Sequence, residues 1–359
     1  MGYESELKDF MRQEKWYENN TFHHKQFDLK KLLKLKKEKN IKISLCFPAL
    51  NEALTIGNIL KIVKQEVLEP GLVDEVVVID SDSMDDTVKI ASSLGFSVYQ
   101  HKNILSDYGS YRGKGEALWK SLHILKGDII AWCDSDIKDF SPRFIYGILG
   151  PLILREDISF VKAFYRRPLK IGSSYMRGEG GRVTEILVRP ILNLYYPELS
   201  RLYQPLSGEY SGRREIFEAI PFQTGYGVEI GMIIDLFEKF GLGSIAQTNV
   251  LRRVHRNQPL SSLSKMSFGI MQTIIRKLEY YGKISSETAL NKTYNQIEYI
   301  DNEYLIDPII LEEEERPPIS KIEEYGNKWL PTLKLSYSKS DLKKEFAFQT
   351  KEELAQLPN

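Results

Sequence analysis

Two carboxylates, Asp134 and Asp136, flank Ser135 at the end of the run Asp128-Ile-Ile-Ala-Trp-Cys133. Ile129 to Cys133 are mostly apolar and read as a buried strand of a parallel sheet. On an extended backbone, side chains at i and i+2 point to the same side. At the end of such a strand they open onto the crevice where open α/β sheets bind ligands. Two carboxylates there can hold one hard divalent cation, and through it a pyrophosphate. The same pair can instead cap the following segment, Ile137 to Tyr146, and the spacing alone leaves both readings open.

Three upstream runs could act beside them. Phe47-Pro-Ala-Leu-Asn-Glu52 follows a strand-like stretch, and Pro48 ends that stretch because it lacks an N–H. Pro48, Ala49, Leu50 and Glu52 could grip a nucleotide base, while Asn51 can cap the next helix. Asp80, followed by Ser81, ends a second strand, where an acid can bind ribose hydroxyls. Asp85 or Asp86 then fits a helix N-cap. In Gly113-Lys-Gly-Glu116 a lysine lies between two glycines just before a helix. There it can reach phosphate while the backbone approaches closely, or simply belong to a solvent loop. Neither G-x-G-x-x-G nor G-x-x-x-x-G-K-[ST] is present in these runs, which disfavours dinucleotide dehydrogenases and P-loop NTPases.

The elements that must position these groups alternate. Strands are expected at 41–47, 73–79, 96–100, 129–133 and 158–165, with helices at 53–67, 87–94 and 116–125. Gly95 fits a helix C-cap. This βα alternation predicts an α/β fold with a mostly parallel central sheet flanked by helices. Beyond Tyr165, five arginines (166, 167, 177, 182 and 189) fall among many glycines. Leu260 to Gly282 reads as a long helix, and Glu312 to Pro318 as an exposed linker. The expected organisation is an N-terminal helical extension (1–40), a βα-alternating Rossmann-like half (41–165), a second functional half (166–282) and a C-terminal extension (283–359).

Bulk composition narrows the class. The 359 residues carry 49 basic and 49 acidic side chains, so a general nucleic-acid binder is disfavoured. Only Cys46 and Cys133 are present, both in apolar runs, as expected of core residues in a cytoplasmic protein. The N-terminus shows no apolar signal core. The longest apolar run, Phe144 to Leu154, is too short to span a bilayer.

The order Pro48-Ala-Leu-Asn-Glu52, Asp80, Gly113-Lys-Gly115, Asp134-Ser-Asp136 resembles that of GT-A-fold glycosyltransferases. Four further runs resemble the glucosyl-3-phosphoglycerate synthase family. They are Gly178-Glu-Gly-Gly-Arg-Val-Thr-Glu185, Gln204-Pro-Leu-Ser-Gly-Glu-Tyr-Ser-Gly-Arg213, Gly225-Tyr-Gly-Val-Glu-Ile230 and Arg253-Val-His-Arg-Asn257. The resemblance covers roughly residues 40–280. It implies a GT-A nucleotide-diphospho-sugar transferase fold, with an acceptor-binding half and a C-terminal extension.

The resemblance also implies roles. Asp136 and His255 would ligate Mg²⁺ or Mn²⁺, and one carboxylate and one imidazole suit such an ion. Asp134 would contact the donor's ribose or sugar, with Glu52, Ser81 and Lys114 completing a UDP-glucose pocket. Gly181, Arg182, Thr184, Arg256 and Asn257 would hold the phosphate and carboxylate of 3-phosphoglycerate, for which arginine's planar fork is suited. Leu206 to Tyr210 would wall the transferred sugar, and Glu229 would orient the acceptor hydroxyl. The implied reaction is metal-dependent, retaining glucosyl transfer to the 2-hydroxyl of 3-phospho-D-glycerate, in a likeness that also implies a homodimer without membrane or nucleic-acid partners. A GDP-mannose donor, a lipid-phosphate acceptor and a non-catalytic sugar-nucleotide sensor are the alternatives.

Overall fold

In the computed structural model, the described residues are 11, 14–167, 169–171, 174–176, 181–254, 258–285 and 287–329. In chain order the strands are β1 (Thr21–His23), β2 (Ile43–Ala49), β3 (Glu75–Asp80), β4 (Ser97–Gln100), β5 (Ile129–Trp132), β6 (Phe160–Arg166), β7 (Leu169–Ile171) and β8 (Ser174–Met176). They continue with β9 (Tyr210–Arg213), β10 (Phe222–Gln223), β11 (Ile245–Arg252), β12 (Thr293–Ile300), β13 (Glu303–Ile310) and β14 (Glu315–Arg316). The helices are α1 (Leu29–Glu38), α2 (Ile56–Val63), α3 (Thr87–Ser93), α4 (Lys114–Ile124) and α5 (Arg143–Leu154). After them come α6 (Arg189–Tyr195), α7 (Arg214–Glu218), α8 (Val228–Phe240), α9 (Leu260–Tyr280) and α10 (Glu323–Trp329).

The main sheet has eight strands in the order β1-β11-β6-β9-β5-β2-β3-β4. All neighbours are parallel except β9, which runs antiparallel between β5 and β6. Alternation along each strand divides the core. Ile129 and Ala131 face α2 and α5, whereas Ile130 and Trp132 face α4 and α8. Trp132 packs edge-on against Phe217 and donates its indole N–H to Ser121 Oγ at 3.0 Å. Both faces are therefore apolar and buried, and the polar chemistry is driven to the strand ends. Cys46 and Cys133 are free and buried.

Two expectations change. The stretch before residue 41 is not helical throughout, because Thr21–His23 adds an edge strand to the main sheet beside β11. Glu312–Pro318 is not an exposed linker. Glu315–Arg316 pairs with Phe222–Gln223, and Glu313 and Arg316 are 5% and 7% exposed. Its charges are tolerated inside because each meets an opposite charge or backbone donors.

Candidate active site

The residues at the sheet's carboxyl edge form a chain of alternating charge. Cys133 N–H donates to Cys46 O, continuing the β2–β5 pairing up to Asp134. Lys114, the first residue of α4, donates to Asp134 Oδ1 at 2.5 Å and to Glu229 Oε1 at 2.8 Å. Arg253 follows β11 and donates to Asp134 Oδ2 at 2.8 Å, to Tyr165 Oη at 2.9 Å and to Asp136 Oδ1. Its Nε lies 3.4 Å from Glu209 Oε1. Burial disfavours ionised Asp134, but Lys114 and Arg253 outweigh it and hold the carboxyl well below the usual range. Burial likewise opposes the charge on Lys114, yet Asp134 and Glu229 raise its affinity for the proton. Asp136 is the most open of these acids, with its side chain 32% exposed.

Gly208 makes room for the first carboxylate: a Cβ there would meet Asp134 Oδ2 at 2.0 Å. Leu206 packs against the core beside it, and Ser207 and Glu209 are fully buried. The glycines around Lys114 do different work from that expected. A Cβ on Gly113 would meet Thr224 O at 2.4 Å, and one on Gly115 would meet Gln223 O at 1.8 Å. Their close approach is to the 223–225 backbone, while the lysine side chain turns to the carboxylates.

The two loops after β2 and β3 are stapled together. Asn51, at φ 57°, accepts from Met84 N–H at 2.8 Å, and its own N–H donates to Ser83 Oγ. Asn51 thus bridges loops, in place of the expected helix capping. Glu52 N–H donates to Thr87 Oγ1, and Ala53 N–H to Asp85 Oδ2. Asp85 also accepts from Thr87 N–H, as an N-terminal acid should, whereas Asp86 makes no side-chain cap bond. Thr55 Oγ1 donates to Ser135 O at 2.6 Å, and Ser135 Oγ donates to Pro48 O, which ties both loops to the Asp134–Asp136 turn. Burial, followed by the charge of Asp136, pushes the Glu52 carboxyl up to about 7. Leu50 is exposed and Ala49 is buried. Asp80 is fully buried, with one oxygen accepting from Ser83 N–H at 3.0 Å. It lies beneath its loop, and Ser81, half-buried, is the more open of the pair.

On the other side, Gly181 has φ 89°, and the chain is helical from Arg182. Thr184 is buried, and Arg182 donates to Gln258 O at 2.9 Å. His255, Arg256 and Asn257 lie outside the described residues. Arg182 is thereby joined to the residue that follows them.

Lys162, a single charge within the apolar strand β6, was not singled out from sequence. Its Nζ is buried with no hydrogen-bond partner among the described residues, 4.2 Å from the Tyr210 ring centroid. Burial, against the pull of Glu229, lowers it to about 7. A lone lysine in Phe160-Val-Lys-Ala-Phe-Tyr165 was the available signal.

Carboxylate oxygen is the donor that hard divalent cations take. A positive guanidinium already bridges Asp134 and Asp136, so these two acids fit a cation. Among the described residues, no three or more His, Cys, Asp or Glu side chains converge as a metal cluster. The described chain therefore offers a partial shell.

The model of Glycosyl transferase family 2 matches residues 44–217, a region that ends before Glu229 and Arg253. A glucosyl-3-phosphoglycerate synthase of Petrotoga mobilis is 50% identical over 312 residues, covering 86% of this chain and 96% of that relative. This chain belongs to the glucosyl-3-phosphoglycerate synthase family. Its fold is GT-A. The crystal structure of mannosyl-3-phosphoglycerate synthase from Rubrobacter xylanophilus superposes with TM-score 0.80 at 36% identity, covering 86% of this chain and 99% of that one. The Mycobacterium tuberculosis glucosyl-3-phosphoglycerate synthase, solved with Mn²⁺, UDP-glucose and phosphoglyceric acid, gives 0.73 at 36%, covering 84% and 98%.

Proposed function

We propose that this chain transfers glucose from UDP-glucose to the 2-hydroxyl of 3-phospho-D-glycerate, with Mg²⁺ or Mn²⁺, and with retention at the anomeric carbon. The observation that carries this reading is the 50% identity to a glucosyl-3-phosphoglycerate synthase across nearly the full length of that relative. The charge chain of Asp136, Arg253, Asp134, Lys114 and Glu229 supports it.

In this reading Asp136 and His255 hold the divalent cation. When bound, the ion stabilises negative charge on the leaving diphosphate. Lys114 neutralises Asp134 and Glu229 and presents a cation to the donor. Asp134 orients the donor sugar, with Gly208 fixing the carboxylate from behind. Glu52, Ser81 and the backbone of Pro48 to Leu50 face the nucleotide, and Asp80 supports that loop. Gly181, Arg182, Thr184, Arg256 and Asn257 take the acceptor's phosphate and carboxylate. Glu229 orients the acceptor hydroxyl, and Leu206 limits the space for the sugar. The hydroxyl attacks the anomeric carbon from the leaving-group side, and its proton passes to the departing diphosphate oxygen. A β-linked product, read by NMR of the anomeric proton, would sink this course.

The donor has a second reading, GDP-mannose, because a neighbour at TM-score 0.80 is a mannosyl-3-phosphoglycerate synthase. Nucleotide release with 3-phosphoglycerate, compared between UDP-glucose and GDP-mannose with metal and with EDTA, separates the two. Acceptor-dependent UDP release supports the proposal. GDP release alone keeps the site and changes the sugar. Release from neither donor by folded protein leaves the lipid-phosphate and sensor readings, although no helix among the described residues is long and apolar enough to cross a membrane.

We further infer a cytoplasmic homodimer. The free cysteines support a reducing compartment. The hairpin β12–β13 exposes Ile297, Tyr299, Tyr304, Ile306 and Ile310, an apolar surface that suits a second copy. Light scattering should give twice the chain mass, and an Ile306→Glu variant should give the monomer.

A further inference from the structure

The segment Glu312–Arg316 grips the first turns of two helices at the site. Glu313 is buried, and its carboxylate accepts from Gly225 N–H at 3.0 Å and Tyr226 N–H at 2.8 Å, in the turn that enters α8. A Cβ on Gly225 or Gly269 would meet Glu313 Oε1 at 2.5 Å, so both glycines make room for this carboxylate. Arg316 forks onto Glu116 at 2.6 and 2.8 Å, in the first turn of α4. Its guanidinium also donates to Tyr108 O at 2.9 Å and covers the Trp119 ring at 5.0 Å. Between the two grips, Thr224 N–H donates to Glu314 O at 2.8 Å, and Glu116 N–H donates to Thr224 O at 3.0 Å. The strap, the 223–226 turn and the start of α4 are thus one hydrogen-bonded stack.

Lys114 lies two residues before Glu116, and Glu229 lies three residues after Tyr226. We propose that Glu313 and Arg316 are positioning residues for the transfer reaction, holding the entries of α8 and α4 so that Glu229 and Lys114 meet. The strap touches neither carboxylate of the Asp134–Asp136 pair. Its effect must pass through the two helix entries, which are stiff because their backbones are in direct contact at Gly113 and Gly115. A small displacement matters here, since misplacement of a positioned group by about 1 Å costs roughly a hundredfold in rate.

This inference rests on the proposed glycosyl transfer, and its test includes a readout that does not. Glu313→Gln keeps the shape and removes the charge, and Arg316→Lys keeps the charge and removes the fork. Each variant is compared with wild type by turnover, by melting and by crystal structure. The expected result is a fall in kcat of tenfold or more, with KM for the nucleotide sugar within threefold. The Lys114 Nζ to Glu229 Oε1 separation, 2.8 Å here, should open beyond hydrogen-bond distance. In a Lys114→Met background the strap substitutions should lower the residual kcat by less than twofold. A separation unchanged in both variants overturns the proposal, as does kcat within twofold of wild type or an undiminished loss in the Lys114→Met background. If wild type shows no transfer, the glycosyltransferase reading fails, and the crystallographic separation alone decides the positioning claim.

Discussion

Lys114 at the start of α4 and Glu229 in the first turn of α8 stand 115 residues apart in sequence, yet their charged atoms meet at 2.8 Å. The same ammonium touches Asp134 at 2.5 Å, so one cation serves two carboxylates from two other elements. The Glu229 side chain is 10% exposed, and the Lys114 ammonium is the charged group that meets it.

Lys114→Met should therefore damage both activity and fold. Leaving Glu229 without its cation, and Asp134 with Arg253 alone, costs about 3 kcal/mol, and turnover should fall at least a hundredfold. Urea unfolding reads the first and nucleotide release the second. Turnover within tenfold of wild type would remove Lys114 from the site.

Asp136 is a third exposed, and Asp134 still occupies Arg253 when it is lost. Asp136→Asn should shift the melting temperature by only a few degrees while abolishing metal-dependent turnover. Calorimetric titration with Mn²⁺ should show at least tenfold weaker binding. Wild-type binding by this variant would argue that the ion sits elsewhere.

Arg182→Ala should act on one substrate only. A charge-assisted contact is worth about 1.5–3 kcal/mol, which corresponds to roughly a 10- to 150-fold rise in KM for 3-phosphoglycerate. KM for the nucleotide sugar should stay within twofold. Equal changes in both would mean that the acceptor site is misplaced.

Lys162 gives a pH dependence with a definite sign. Its folded pKa, about 7, lies below the ordinary 10.5. Between those values the unfolded chain holds a proton that the folded chain has released, so this residue's share of stability rises with pH. Between pH 7 and 9 the rise is about 2 kcal/mol. The charges acting on this ammonium are Glu229, Lys114, Glu209 and Asp134. Lys162→Met should flatten the rise in urea-unfolding free energy over that window. A slope identical to wild type would exclude Lys162 as its source.

Much of the fold was legible because local rules govern it. The continuous apolar runs in Glu75–Asp80 and Ile129–Trp132, the Gly95 turn at φ 87° and the long helix Leu260–Tyr280 each follow from patterns set within a few residues. The short strand Tyr210–Arg213 was harder to see. Its antiparallel place between β5 and β6 depends on partners some 50 to 80 residues away.

Side-chain placement divides along the same line. Sequence alone placed Asp134 and Asp136 just beyond a buried strand, because the apolar run from Ile129 stops at them. It also supplied the family likeness and hence the expected chemistry. Only the tertiary structure decided that Lys114 bridges Asp134 and Glu229, and that the acidic run near residue 313 is internal. Arg316 meets Glu116 across 200 residues of chain. Such a pairing has no local period to announce it, because it forms only when separately folded elements pack and each buried charge must find its opposite.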